Sequence, residues 1–375
     1  MASIDGFQQQ VKQDKWFRNL EDDMKLIIPY IEDKRVTDIA IGIGGELIVE
    51  GMGMGKQFTG IYFDDATTTR IIYASAAVLG VTIDPDNPIV EGVLPNWKIR
   101  IEGILPPRAT ENPMFFIRRP PATVFKMESY VEGGRMTQEQ YDLLVKHIQK
   151  RSNIIIGGET GSGKTTLLNV HSSYIPSDER IITIEDSAEV QLHQEHVLTL
   201  EARPANMEGK GRVSIRDLVV NSLRMRPDRI IVGEVRSEET LDMLQAMNTG
   251  HDGSLTTIHA NSPRDSISRI ETMVMMSGSE LPSKAIRDQV SSAINLIVQQ
   301  ARLRDGSRKV TSISELVGME GDVVRMQDIF TYETEGEYDS NGKFKGVFKP
   351  TGIIPKCVEK IRENGVVVNN DWFND

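Results

Sequence analysis

A chain of 375 residues is long enough for two or three domains at roughly 150 residues each. Its 39% hydrophobic and 26% charged content is that of an ordinary globular protein with material for sizeable cores. A formal net charge of -11 argues against a protein that coats nucleic acid through phosphate neutralisation, which calls for a basic surface. The single cysteine, Cys357, excludes an internal disulfide and reads as a spare thiol in a reducing compartment. The polar start Ala2-Ser-Ile-Asp-Gly-Phe7 lacks the basic and apolar regions of a secretory signal. No window approaches the roughly 18 apolar residues of a membrane helix. A cytoplasmic protein is expected, acting at a membrane only by docking on other proteins there.

Residues 1–30 carry Phe17, Leu20, Met24, Ile27 and Ile28 at helical spacing, which predicts an amphipathic helix. Val36–Ile41, a Gly44-Gly45 turn and Glu46–Glu50 read as a hairpin. Thr67–Leu79 reads as a helix, and Trp97–Glu102 and Met114–Arg118 alternate as strands with one wet face. These pieces predict a small α+β domain over residues 1–120. A linker over 121–137 follows, rich in paired prolines and glycines. Thr137, with Gln140 three residues on, marks a helix start. Over 138–320 short apolar strands alternate with longer helical segments, the grammar of an α/β domain with a mainly parallel sheet. Residues 321–375 read as a β-rich tail with a hairpin turn near 338–343.

The strongest chemical signal follows the apolar strand Asn153–Gly157. Gly158, Glu159, Thr160, Gly161, Ser162, Gly163, Lys164 and Thr165 match G-x-x-x-x-G-K-[ST], and Thr166 continues into a helical run. A chance glycine-rich turn has no reason to sit between such a strand and such a helix. Glycines allow backbone N–H groups to turn inward on a phosphate, and the helix N-terminus adds positive potential. Lys164 is the candidate for the β- and γ-phosphates of a nucleotide, and Thr165 for a Mg²⁺ ligand.

Three later strands end in polar groups. Arg180–Ile184 runs into Glu185, Asp186 and Glu189; Arg229–Gly233 into Glu234 and Arg236; Ser254–Ile258 into His259 and Asn261. Ligands of an open parallel sheet sit at the carboxyl ends of its strands, so all three clusters are expected beside the glycine-rich loop. Each alone reads equally as a surface ion pair or a cap; together they point to a site. Glu234 is the candidate base or water-positioner. Glu185 is the candidate support for Mg²⁺, and His259 or His251 a sensor of the terminal phosphate. His193 and His196 lack a third metal ligand. Arg216, Arg224, Arg226, Arg229 and Arg236 cluster around the second strand, either as a charged face or as a reach toward a neighbouring site. Arg100, Arg118 and Arg119 in the first domain are candidates to close on phosphate. Met273, Met275 and Met276 read as helix packing. The chain carries no N-K-x-D guanine motif, which favours ATP over GTP.

On these boxes the chain resembles the secretion ATPase superfamily, which drives type II and type IV secretion, conjugation and type IV pilus assembly. The acidic box resembles Ile182–Val190, the atypical Walker B box Leu223–Arg236, and the histidine box Thr249–Ala260. Residues 204–211, Asp242–Gly250, Gly318–Asp322 and Gly352–Pro355 look similar to CpaF-type ATPases of Tad pili. Phe116–Pro121 resembles the conjugative TrbB and type IV secretion ATPases. The resemblance implies a RecA-like carboxyl-terminal domain with a P-loop, a smaller amino-terminal domain and a homohexameric ring. It also implies nucleotide between the domains, with Arg118 or Arg119 reaching it. ATP hydrolysis would work on an inner-membrane platform protein, and the chain would lie peripherally at that membrane. The implied role is assembly of a Tad or type IV-like pilus or secretion machine, with conjugative or type IV secretion export as the alternative. Two departures stand out: Gly233-Glu234 ends the Walker B strand without its own aspartate, and Gly42 stands where an asparagine is expected. The chain also starts without the long leader of many CpaF-type proteins.

Overall fold

The computed structural model describes residues 15–51, 54–119, 125–203, 205, 210–340, 342–363 and 367–374. The start of the leading helix, the Pro120-Pro121 pair and most of 204–209 lie outside the described residues. The chain divides into two compact units, residues 1–124 with 204–212, and residues 125–203 with 213–375.

In the first unit a helix over 15–23 (α1) and α2 (Ile28–Glu32) precede β1 (Val36–Ile41), β2 (Glu46–Gly51) and β3 (Gly55–Tyr62). Helix α3 (Asp65–Leu79) and strands β4 (Ile89–Leu94), β5 (Ile99–Ile104) and β6 (Met114–Arg118) follow. The six strands form one antiparallel sheet in the order β3-β2-β1-β6-β5-β4. Leu20, Met24 and Ile27 are buried with the inward residues of the sheet and of α3, so the leading apolar stripe serves this core. Helix α3 begins two residues before the expected Thr67, because Asp64 is the cap and accepts from Thr67 N at 2.7 Å.

The second unit runs α4 (Met127–Glu132), α5 (Gln138–Gln149), β7 (Ile154–Gly158), α6 (Lys164–Ser172), β8 (Ile181–Glu185), β9 (Val197–Glu201) and α7 (Ile215–Ser222). It continues with β10 (Arg229–Val235), α8 (Glu239–Asn248), β11 (Leu255–His259), α9 (Pro263–Met276) and α10 (Ser283–Ala293). Strands β12 (Leu296–Arg302), β13 (Arg308–Glu320), β14 (Val323–Tyr338) and β15 (Phe344–Pro350) precede the last helix, α11 (Lys356–Glu363). All nine strands share one sheet, β15-β14-β13-β12-β7-β11-β10-β8-β9. The run from β12 to β9 is parallel; β13, β14 and β15 extend it antiparallel.

Strand β7 shows why the sheet is covered on both faces. Ile154 and Ile156 join Leu143, Leu144, Leu167 and Leu168 of α5 and α6, whereas Ile155 joins Leu244, Ile270 and Val290 of α8, α9 and α10. Successive residues of a strand point to opposite faces, so a wholly apolar strand needs a helical layer on each side. Helix α5 opens with the capping box that its sequence signals: Thr137 Oγ1 accepts from Gln140 N, and Gln140 Oε1 from Thr137 N.

Two elements differ from expectation. Helix α4 forms within the expected linker, because Met127 and Tyr130 are fully buried and offset the poor local propensity. The last segment holds a helix rather than only strands: Val358 and Ile361 of α11 pack into the core, and Glu315 accepts from Lys356 N and Cys357 N. Met273 is buried, but Met275 and Met276 are exposed, so only the first packs as expected. No helix among the described residues is long and apolar enough to cross a membrane.

Candidate functional site

The glycine-rich loop joins the carboxyl end of β7 to α6. Gly161 (φ 75°) and Gly163 (φ 94°) adopt left-handed backbone, which a Cβ would strain. Gly163 stands at the N-cap of α6 and supplies no side-chain cap to the helix's first N–H groups. Uncapped N–H groups and the helix dipole present positive potential to an anion. Lys164 opens the helix, and its Nζ donates to Glu159 O at 3.3 Å. Thr165 and Thr166 lie half-buried in the first turn.

Two further strand ends meet this loop. Strand β11 lies beside β7 with His259 opposite Gly158, and His259 Nδ1 is 3.5 Å from Thr160 Oγ1. Strand β10 lies on the far side of β11, so about 10 Å separates its axis from that of β7. Burial lowers the Lys164 pKa, the Glu234 carboxylate opposes that shift, and Arg236 adds to it. Arg236 binds Glu234 Oε2 through Nη2 at 2.6 Å and through Nε at 3.0 Å, and reaches Asp186 Oδ2 at 3.4 Å. Lys164, Glu234, Arg236 and His259 therefore share one neighbourhood, at the edge where the strand ends predicted it.

Glu185 ends β8 and is turned inward. It is 4% exposed, and its carboxylate accepts from Glu189 N at 3.1 Å and Val190 N at 3.0 Å. Burial pushes its pKa up to about 7 against the pull of those two amides. Gly233 on β10 makes room for it: a Cβ there would stand 2.8 Å from Glu185 Cγ. Direct ligation of a metal by Glu185 costs it those backbone bonds, so its fit to Mg²⁺ is through an intervening water.

His251 is not part of this neighbourhood. It precedes β11 and sits at the opposite, amino-terminal edge of the sheet. There Ser254 Oγ donates to His251 O, and Arg229 Nη1 reaches Gly253 O. About 13 Å of strand separates Leu255 from His259. Arg229 is also a buried structural residue at that edge, paired with Glu179 at 2.6 Å, and Arg216 is paired with Asp242 of α8 and with Glu238 at its N-cap. In the first unit Arg100 and Arg118 face each other across β5 and β6, with Asp38 opposite Arg118 on β1. Arg118 Nε binds Asp38 Oδ1 at 2.9 Å, Arg100 binds Glu91, and Arg119 Nη1 donates to Asp33 O at 2.7 Å.

Sequence reasoning missed the residues behind the loop. Gln300 Nε2 donates to Ser162 O, Arg308 Nε donates to Gly161 O at 3.1 Å, and Gln299 Nε2 donates to Ala260 O at 2.9 Å. Part of the signal was present: the apolar run Leu296–Val298 ends in Gln299-Gln300, the same pattern as the three strands that were singled out.

This arrangement can hold a polyanionic phosphate and place a carboxylate near it. The family model for type II/IV secretion system proteins matches residues 85–345. A putative conjugal transfer protein of Mycobacterium tuberculosis is 33% identical over 304 residues, covering 80% of this chain and 86% of that protein. The conjugal transfer protein TrbB of Rhizobium radiobacter is 34% identical, covering 78% and 86%. A solved structure of the pilus retraction motor PilT with bound ADP shares the fold at 22% identity and a TM-score of 0.55, covering 92% of this chain and 86% of that one. The chain belongs to the type II/IV secretion system protein family, within the secretion ATPase superfamily.

Proposed function

We propose that the chain hydrolyses ATP to drive a conjugal transfer or type IV secretion machine. The observation that carries the reading is the gathering of the carboxyl ends of β7, β11 and β10 at one edge of the sheet, with Lys164, His259 and Glu234 at them. The left-handed glycines and the uncapped α6 terminus fit a triphosphate. In this reading the loop from Gly158 to Gly163 and Lys164 bind the β- and γ-phosphates. Thr165 and Glu185 would hold Mg²⁺, which when bound would neutralise charge on the phosphate oxygens. Glu234 takes the proton of the attacking water, Arg236 keeps the carboxylate in place, and His259 responds to the terminal phosphate through Thr160. Arg100, Arg118 and Arg119 are the first unit's candidates to neutralise phosphate.

The names of the relatives support conjugal transfer over Tad pilus assembly. With that reading go a homohexameric ring, a cytoplasmic location peripheral to the inner membrane, and a platform protein there as partner. Acidic net charge stands against nucleic acid as a direct ligand.

The test is turnover by the purified chain. Glu234→Gln is expected to bind ATP normally but lose hydrolysis by about 100-fold or more. Lys164→Ala is expected to lose both, and DNA is expected not to stimulate turnover. A Glu234→Gln variant that hydrolyses ATP at the native rate overturns the base assignment. Transfer of a mobilisable plasmid that survives Lys164→Ala overturns the conjugal role.

A further inference from the structure

Two carbonyl oxygens of the phosphate loop are held from behind by a different part of the chain. Gly161 O accepts from Arg308 Nε at 3.1 Å, and Ser162 O accepts from Gln300 Nε2. Both donors belong to the β12–β13 hairpin, which lies on the side of β7 away from β11. Gln300 is 1% exposed. The fit is close, since a Cβ on Gly163 would stand 2.7 Å from Gln300 Nε2 and 3.3 Å from Arg308 Cδ.

The two contacts do separate work. A peptide is planar with its C=O and the next N–H on opposite sides, so fixing one fixes the other. Holding Ser162 O outward turns Gly163 N–H to the inner side of the loop. Holding Gly161 O orients Ser162 N–H, which closes the turn on Glu159 O at 3.2 Å. Left-handed glycines on either side of Ser162 give this stretch alternative conformations to lose. Arg308 is placed here at a cost: burial lowers its pKa, and Arg302, its partner across the hairpin, and Arg135 lower it further. Like charges facing each other across a hairpin are unfavourable. The contact to Gly161 O and an anion held by the loop are what would compensate.

We infer that Arg308 and Gln300 are positioning residues of the nucleotide site, holding the loop's peptide planes so that the turn stays closed and Gly163 N–H faces phosphate before it arrives. The inference rests on the reading of this loop as a nucleotide site. It adds a second layer of residues 138 and 147 positions away in the chain from the carbonyls that they hold.

The experiment measures binding of a fluorescent ADP analogue and steady-state ATP turnover in the full chain. Arg308→Ala and Gln300→Leu are each expected to raise the dissociation constant and KM about tenfold while kcat stays within about threefold, the pattern of lost ground-state organisation. Arg308→Lys, which keeps a donor, is expected to recover most of the loss, and Arg304→Ala, an exposed cation on the same turn, to bind normally. Native affinity in folded Arg308→Ala and Gln300→Leu, with Lys164→Ala impaired, overturns the inference. So does Arg304→Ala weakening binding as much as Arg308→Ala, because bulk charge then explains the effect. Native affinity in Lys164→Ala overturns the nucleotide reading itself. Should Arg308→Ala not fold, Gln300→Leu and Arg308→Lys decide: native binding in Gln300→Leu overturns the inference, and a tenfold loss there upholds it.

Discussion

Arg236 grips Glu234 from two residues further along the chain, with both its Nη2 and its Nε on the single oxygen Oε2. The grip leaves Oε1 of the carboxylate outside the ion pair. The same guanidinium reaches Asp186 beyond β8, so it ties the end of β10 to the acidic turn. A base held this way loses aim rather than identity when its partner is removed. Arg236→Ala is therefore expected to lower kcat about tenfold with KM changed by less than about threefold, and Arg236→Lys to fall between, since lysine keeps charge without the fork. Steady-state kinetics check this, and native kcat in Arg236→Ala removes the positioning role.

The two histidines of the Thr249–Ala260 segment are expected to separate cleanly. His259 faces Thr160 of the loop, whereas His251 belongs to the turn at the other edge of the sheet. His259→Ala is expected to lower kcat about tenfold or more, and His251→Ala to leave it within about twofold. The reverse order of effects would show that His251 acts at a site other than the loop of its own unit.

Contiguity decided what was legible from the sequence. The loop, Glu234 and His259 were readable because each lies at the end of a short apolar strand, and a parallel sheet brings such ends together. His251 and His259 look close at eight residues apart in the chain, while the strand between them carries them to opposite edges of the sheet. Helix α4 was hidden because Tyr130 and Met127 are buried by tertiary packing, which outweighs nearby prolines and glycines. Helix α11 was hidden because Glu315, 41 and 42 residues away, accepts from its first N–H groups. Gln300 stands at a strand end like the other site residues, but nothing local marks Arg308 or says that either residue holds carbonyls so distant in sequence.

His147 predicts how the second unit responds to acid. It is fully buried between Ser152 Oγ at 2.8 Å and Cys357 Sγ at 3.3 Å, and burial lowers its pKa to about 3. The unfolded chain binds a proton near pH 6.5 that the folded protein refuses, so the neutral ring's stability is present above that pH and is lost as pH falls toward 3. Between pH 7.5 and pH 5 the loss is about 2 kcal/mol from this group. His171, also buried with its pKa lowered to about 4 by burial, adds a loss of the same sign. Urea melts at the two pH values are expected to show His147→Leu with a smaller acid loss than the native chain, whatever its stability at pH 7.5. An unchanged difference between the two pH values would mean that His147 is not held neutral.

Arg229 and Glu179 form the complementary test, at the edge away from the site. Arg229 is fully buried, binds Glu179 through Nε at 2.6 Å and Nη2 at 3.1 Å, and donates to Ile148 O at 2.6 Å. Removing the guanidinium strands a buried carboxylate, whose only other ion-pair partner among the described residues is the half-exposed Arg151 at 3.4 Å. Breaking one side of a buried pair costs about 3–5 kcal/mol, and Arg151 puts the expected cost of Arg229→Met at the lower end. That is roughly 10 °C in melting temperature for a unit of this size. Replacing both members, as Arg229→Met with Glu179→Gln, is expected to restore more than half of the loss, because no uncompensated charge is left. The folded fraction of either variant is expected to turn over ATP at the native rate, since about 16 Å of β10 lies between Arg229 and Glu234. A double variant no more stable than the single one would show that the hydrogen bond to Ile148 O, rather than the ion pair, holds this edge together.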